Sequence, residues 1–480
     1  MRPPEMPKPG SPAATSAIEA ARMVRVGALT PLDLVEAAIA RIEETDASVN
    51  ALPVRCFDQA RGRARALMDN RTAGEAWPPL AGLTLAVKDN TDVGGVPTSG
   101  GSAITAGRVP DRSDPVIARL ERAGAIVLGK SNLSELGGAN TVNALFGATR
   151  NPRRPALTAG GSSGGSAAAL ALGQVHLGHG NDVGGSLRTP AAFCGVAGLR
   201  PTPGLVPRKP MSDPFDTVFV EGPMARTVAD LALMLDAMAG FHAADPLSRG
   251  HGGSFLEAAL RAIPPRRIAV SEDLGILPVE PGVRSDFRAL IAALAEAGAE
   301  PVAACPDLAG LPDAIKVQRG LGYLATWSHL WPRERSHFTA EVAGDIARGL
   351  ALKPRRIARA MADRATAYRN MIRFFEIHDL LICPVAQVSP FPVEQRWPSQ
   401  IDGVACETYV DWIMITYVWS VLGCPALSVP VGFGANGLPL ALQLVGPPHG
   451  EARLLAAGAW IEAALAPGGA RRAAGAGALG

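Results

Sequence analysis

Residues 158–204 restrict the folds open to this chain more than any other stretch. Glycine and serine dominate its ends, in Thr158-Ala159-Gly160-Gly161-Ser162-Ser163-Gly164-Gly165-Ser166 and again in Gly180-Asn181-Asp182-Val183-Gly184-Gly185-Ser186-Leu187-Arg188-Thr189-Pro190, while alanine fills the middle. Gly/Ser-rich segments commonly serve as linkers or as phosphate cradles. A linker would not lie between apolar segments and run into an alanine-rich stretch such as Ser166–Leu172 (SAAALAL). A phosphate loop of the G-x-x-x-x-G-K-[ST] kind requires a lysine that does not follow here. The pattern predicts a small-residue helix over 166–172 that packs closely on a neighbour.

The flanking sequence supplies that neighbour. Leu83–Val87 (LTLAV) and Ala125–Leu128 (AIVL) read as short buried strands, the first ending at Lys88-Asp89-Asn90 and the second at Gly129-Lys130, with a helix over Val116–Ala123 between them. Ser16–Ile42 is helical in pattern, with Thr30 as an N-cap and Pro31 at the first helical position. Helix continues over Arg61–Met68, and further helices are expected over Asp286–Ala297 and across Thr339–Phe375. Ile268–Val270, Leu380–Pro384, Leu427–Val431 and Leu440–Val445 read as strands. Strand and helix alternate, which predicts α/β packing around a central sheet. Asp411 to Glu451 contains no charge between its ends, but Gly423, Pro425, Pro430, Gly432, Gly434 and Gly437 interrupt it. Short buried strands joined by turns fit this run better than a membrane span, which needs about 20 uninterrupted apolar residues.

Composition narrows the function classes. With 480 residues, 48% hydrophobic and 19% charged, the chain has the profile of a soluble globular protein able to bury a deep site. Its 46 basic and 44 acidic residues leave a formal charge of +2, which favours neither nucleic acid nor an anionic membrane as partner. Six scattered cysteines form no C-x-x-C pair and no zinc-like spacing; they read as reduced thiols and point to a cytoplasmic location. Residues 1–14 are expected to be a flexible Pro-rich arm, 15–466 a single catalytic domain, and 467–480 a disordered low-complexity tail.

A chemical reading of Ser186 follows from its neighbours. Gly184 and Gly185 remove side chains from the approach and let backbone N–H groups converge, so Val183–Ser186 can supply oxyanion donors and nucleophile together. A serine hydroxyl needs a base. His176 and His179 precede Ser186 but belong to no recognisable triad, and read as packing or surface residues; the local order G-G-S-L-R is not a G-x-S-x-G elbow. Lysine is the alternative base, provided burial favours its neutral form. Lys88 ends an apolar strand, where burial is expected. A serine such as Ser162 can relay between a base and a second serine, since a hydroxyl accepts one proton while giving up another.

Together these residues resemble the amidase signature family. The resemblance rests on T-A-G-G-S-S-G-G-S-A-A-A at 158–169, G-N-D-V-G-G-S-L-R-T-P-A-A-F-C-G-V-A-G-L-R-P-T at 180–202, and L-T-L-A-V-K-D-N at 83–90. A-L-F-G-A-T-R-N-P at 144–152 and P-A-L-S-V-P at 425–430 match flanking segments. Ser162 lies 24 positions before Ser186 (186 − 162 = 24). The resemblance implies a large mixed twisted sheet covered by helices on both faces. It implies a Ser–cis-Ser–Lys triad in which Lys88 is the base, Ser162 the bridging serine on a cis peptide bond, and Ser186 the nucleophile. The oxyanion hole would come from the N–H groups of Val183, Gly184, Gly185 and Ser186, with Ser163, Asp182 and Arg188 as structural supports. No metal or organic cofactor is implied. Asn181 departs from the family, where threonine is common, and His176 and His179 lie in a segment that is usually apolar or small.

The family includes stand-alone amidases, aryl acylamidases, urethane-cleaving enzymes and the glutaminase component of the tRNA amidotransferase. That component usually carries a more polar pocket after the lysine strand, whereas here the corresponding loop is Ser131-Asn132-Leu133-Ser134-Glu135-Leu136-Gly137-Gly138-Ala139. Leu136, Gly137, Gly138 and Ala139 are therefore candidate pocket residues. So are Trp412 and Ile413, within a C-terminal group that also holds Trp397, Tyr409, Tyr417 and Trp419. A stand-alone hydrolase of small apolar or aryl amides is expected, with carbamates and esters as further candidate substrates. The alternatives are the glutamine-hydrolysing component of the amidotransferase and a principal urethane hydrolase, and a homodimer is left open. Intact Lys88, Ser162 and Ser186 argue against a catalytically dead binding protein.

Overall fold

The computed structural model describes residues 3–7, 11–72 and 74–466. Eleven strands share one sheet: β1 (Val54–Arg55), β2 (Thr84–Lys88), β3 (Ile126–Ser131), β4 (Leu177–Asp182), β5 (Ala197–Arg200), β6 (Val220–Ala225), β7 (Ile268–Val270), β8 (Pro301–Ala303), β9 (Leu380–Pro384), β10 (Ala426–Phe433) and β11 (Pro439–Val445). Their order is β1-β3-β2-β4-β6-β5-β10-β11-β9-β7-β8. β2 runs parallel to β3 and β4, β7 runs parallel to β8 and β9, and the central pairings between β4 and β9 are antiparallel, so the sheet is mixed.

Period-two alternation explains why both faces are covered. In β9, Leu380 and Ile382 join one apolar cluster with the helices Val228–Met238 and Glu451–Leu465, while Leu381 and Cys383 join another with Leu311–Trp327 and Pro354–Ile377. In β2, Leu85 and Val87 face the first cluster, and Ala86 faces a third that contains Ala167–Leu172. Strands this thoroughly buried read as near-continuous apolar runs, which is how β2, β3 and β9 were expected.

The predicted small-residue helix spans Gly164–Ala171, every residue of it buried. Its start approaches β3 so closely that a Cβ on Gly165 would stand 2.4 Å from the Asn132 nitrogen. Thr30 caps Pro31–Thr45 through a reciprocal capping box with Asp33. Two expectations need correction. Between Asp411 and Glu451 the structure adds a helix, Met414–Val421, to the expected strands. It is wholly buried and carries no charged residue, so no solvated face marks it as a helix. β4 (LGHGND) and β6 (VEGPMA) were not anticipated, because glycine, asparagine and aspartate in the first and glutamate, glycine and proline in the second are depleted in strands; β4 is instead clamped between β2 and β6.

Where the expected N-terminal arm is described, it touches the body: Met6 packs on the third cluster and the Glu5 carbonyl accepts from Arg41. The tail expected over 467–480 lies outside the described residues. No helix among the described residues is long and apolar enough to cross a membrane.

Candidate active site

β2 and β4 are adjacent and parallel, and their C-terminal ends deliver Lys88 and Asn181 to one point. Lys88 is fully buried. Its Nζ lies 2.7 Å from Ser162 Oγ, 2.7 Å from Asn181 Oδ1 and 3.4 Å from the Asn181 carbonyl oxygen. The Asn181 amide is itself oriented by donating to Asn90 Oδ1 at 2.8 Å, which turns its oxygen towards the lysine. Burial pulls the Lys88 ammonium down to about 7, although the charges of Glu221 and Asp182 favour its protonated form.

Ser162 follows a cis peptide bond, Gly161–Ser162, in the loop that leads into Gly164–Ala171. Ser163 is buried beside it; its N–H donates to the Ser186 carbonyl at 3.2 Å and its hydroxyl to the Asn181 carbonyl at 3.4 Å. These bonds tie the two serine-bearing loops together. Ser162, Asn181, Val183 and Ser186 line one cavity of about 410 Å³.

Asp182 organises the turn that carries Ser186. Its carboxylate accepts from the N–H groups of Gly185 (2.9 Å) and Leu187 (3.1 Å) and from the Arg188 guanidinium (2.9 and 3.1 Å). Arg200 donates to the Asp182 carbonyl at 2.7 Å. Burial alone would raise the Asp182 pKa, but Arg188 and Arg200 hold it well below the usual carboxylate range. Arg188 also reaches the Thr416 carbonyl, Gln443 Oε1 and Ser420 Oγ, each at 2.8 Å, so the turn is anchored to Met414–Val421 and β11. Asp182, Arg188 and Ser163 thus stand where supporting residues were expected. Gly185 differs from its expected part: the N–H assigned to the oxyanion hole points to Asp182 Oδ1. Its φ of 124° and a virtual Cβ only 2.2 Å from Thr416 Oγ1 leave no room for a side chain.

The pocket wall departs further from expectation. Leu136 and Gly137 line the cavity, whereas Gly138, Ala139, Trp412 and Ile413 are not among its lining residues. Trp412 is core: it packs edge-on against Phe391 and Tyr409 and stacks near Phe193. Ile413 backs Gly184 from behind, its Cδ1 3.1 Å from where a Cβ on that glycine would sit. Of the C-terminal aromatic group only Tyr417 reaches the cavity. The other aromatic lining comes from Phe219 and from Tyr323 and Trp327 on Leu311–Trp327. Tyr323 and Trp327 are four residues apart and so share a helix face, a spacing visible in the sequence that does not say what the face looks onto. Thr416, whose hydroxyl is 2.6 Å from the Gly184 carbonyl, carried no signal in the sequence.

His179 and His176 are both buried structural residues; the Thr84 hydroxyl lies 2.8 Å from His176 Nδ1. No cluster of three or more His, Cys, Asp or Glu side chains among the described residues is placed to hold a metal ion.

A family model described as Amidase matches residues 33–455. An acylamidase of Rhodococcus erythropolis is 35% identical over 458 residues, covering 93% of this chain and 95% of that protein. A glutamyl-tRNA(Gln) amidotransferase component of Chloroflexus aurantiacus is 34% identical, covering 90% and 93%. The crystal structure of a bacterial aryl acylamidase of the amidase signature family superposes with a TM-score of 0.87 at 28% identity, covering 94% of this chain and 96% of that one.

Proposed function

This chain belongs to the amidase signature family and is a hydrolase of C–N bonds, and from that premise we propose that it cleaves small apolar or aryl amides through Ser186, Ser162 and Lys88. The observation that carries the proposal is the 2.7 Å approach of a buried Lys88 Nζ to Ser162 Oγ at the edge of a cavity that Ser162 shares with Ser186.

The chemistry runs from the neutral lysine. Lys88 takes the proton of Ser162 as Ser162 takes that of Ser186, and Ser186 Oγ bonds to the substrate carbonyl carbon. The resulting oxyanion is met by the N–H groups of Val183, Gly184 and Ser186. As the C–N bond breaks, Ser162 returns a proton to the departing nitrogen and recovers one from Lys88. Water, deprotonated by the same relay, then attacks the acyl-enzyme and restores Ser186. Tyr323, Trp327, Tyr417, Phe219, Met211 and Leu136 line the cavity and favour an apolar or aromatic body. Carbamates and esters pass through the same kind of intermediate and are included in the proposal. Residues 15–466 are proposed to act as one catalytic domain, in a cytoplasmic setting.

A second reading has one observation in its favour: the amidotransferase component of Chloroflexus is almost as similar as the acylamidase. A panel of an anilide, an aliphatic amide, an aryl carbamate, a nitrophenyl ester and glutamine separates the two. Anilide turnover together with fluorophosphonate labelling at Ser186 is expected. Glutamine as the only substrate turned over would replace the proposal with the amidotransferase reading.

A further inference from the structure

Among the described residues six charged side chains line the cavity, and five of them have their needs met within the protein. Arg108 is paired with Asp92, Lys209 with Asp92 (3.3 Å) and Asp114 (3.1 Å), and Arg319 with Asp345 (2.6 Å) and the Gly138 carbonyl (2.9 Å). Arg208 donates to the carbonyls of Phe219 (2.9 Å) and Pro214 (3.2 Å) and lies 3.8 Å from Asp245. Asp216 accepts the N–H groups of Val218 (2.9 Å) and Phe219 (3.0 Å). The sixth is Glu221, 6% exposed. His179 Nε2 lies 3.0 Å from its Oε2, but without the alignment of a hydrogen bond, and neither that oxygen nor either ring nitrogen has a hydrogen-bond partner among the described residues.

Glu221 stands opposite Asn181 in the β4–β6 ladder, on the face that also carries His179. Directly opposed residues bring their Cβ atoms within about 5.5 Å, so the carboxylate sits one side chain away from the residue that holds Lys88. A carboxylate this deeply buried is costly unless a donor meets it, and among the described residues none supplies an aligned one. Oε2 is sealed against His179, so the oxygen open to the cavity that Glu221 lines is the other one, for which no donor is found among the described residues.

We propose that Glu221 receives a protonated nitrogen of the substrate, so that the preferred amides carry an amine on their apolar or aryl body. This deepens the proposed function and rests on Ser186 acting as nucleophile. The recognised group is an ammonium or strong N–H donor, on either the acyl or the amine side of the scissile bond.

Two substrate pairs test it: leucine p-nitroanilide against isocaproyl p-nitroanilide, which differ by the α-ammonium, and the acetanilides of an aminomethyl- and an ethyl-substituted aniline. The reading is the ratio of kcat/KM within each pair, in which any change in the shared base cancels. A charge-assisted hydrogen bond predicts a preference of about 10- to 100-fold for the amine-bearing member of at least one pair. Glu221→Gln should bring that ratio close to unity. No preference in the native enzyme for either pair overturns the proposal without recourse to a variant, and so does an undiminished preference in E221Q. Turnover of the neutral members that vanishes in Ser186→Ala, with no preference between members, would sink only the role of Glu221. No turnover and no fluorophosphonate adduct would sink the Ser186 reading and this one together.

Discussion

Lys88 ends a buried strand and Ser162 and Ser186 sit on short stretches beside glycines, whereas Tyr323, Trp327 and Met211 line the cavity of the two serines from a half-buried helix and a loop. The first region is held by directional bonds: Asn181 on Lys88, Asp182 on the amides of Gly185 and Leu187, Arg188 across to Met414–Val421. The second is held by apolar packing, with Tyr323, Trp327 and Leu136 leaning on Phe338, Val342 and Ile346. Hydrogen-bond networks define position sharply and fail when one member is lost. Apolar contacts tolerate exchange at fixed volume. On the proposed mechanism the chemistry lies on a rigid floor and the selectivity on a wall that can be repacked, and substitutions on the two sides should differ in kind.

The sharpest break falls on the floor. Ser186→Ala should abolish fluorophosphonate labelling and lower anilide kcat by at least about 10⁴-fold, in line with removal of a nucleophile from other serine hydrolases. Lys88→Ala should lower anilide hydrolysis nearly as far, yet spare nitrophenyl ester cleavage in part, because an amine must be protonated to leave and a nitrophenolate need not be. Equal losses on both substrates would remove Lys88 from the acid step. Gly185→Ala tests rigidity at the same place. A methyl would overlap Thr416 Oγ1 and carry a φ of 124°, so we expect thermal unfolding to shift by about 1–3 kcal/mol and kcat to fall with it. An alanine variant with native kcat would show that the floor yields.

Acidity gives a graded version of the same test. In the proposed mechanism the neutral form of Lys88 is the active one, and its pKa is drawn down to about 7, so kcat/KM should rise with pH and level off above that value. Below it the rate should drop about tenfold per pH unit, as the fraction of neutral amine does. Burial is the larger cause of the shift, and the Glu221 charge opposes it. Glu221→Gln should therefore move the acid limb to lower pH. A substitution on the wall, such as Tyr323→Phe, should leave the limb in place.

The two regions also differ in how far the sequence disclosed them. Lys88, Ser162 and Ser186 were readable because each lies in a contiguous motif: Lys88 ends an apolar strand run, while the glycines and small residues around the two serines are required by close approach, as the 2.4 Å clearance at Gly165 shows. β2, β3 and β9 were readable from apolar runs, while β4 was not, since its LGHGND sequence is selected for the site it carries rather than for strand propensity. The wall was largely illegible. Trp412 and Trp327 are both tryptophans in mixed surroundings, and only tertiary placement makes one a core residue against Phe391 and the other a cavity lining. Glu221 lies in a strand that had not been foreseen, and its unpartnered oxygen is a property of the whole assembly. The part given to Asn181 was hidden for a different reason: its identity was visible as a departure, but its bond to Lys88 depends on β2 and β4 being parallel neighbours.

The smallest expected effect closes the comparison from the side of the wall. Trp327 is half-buried on Leu311–Trp327, touches the Phe338 cluster and faces the cavity four residues from Tyr323. Removing its ring takes away one aromatic contact to an aryl substrate, worth about 1 kcal/mol, or about three- to tenfold in binding. Trp327→Ala should therefore raise KM for anilides by that factor, leave KM for a short aliphatic amide nearly where it was, and keep the pH limb and the Ser186 labelling of the native enzyme. Trp327→Phe should recover most of the loss, since the wall depends on apolar area rather than on a fixed bond. If kcat fell together with KM rising, or if phenylalanine failed to rescue, the wall would be mechanically coupled to the floor through Leu136 and Gly137, whose loop borders Ser162.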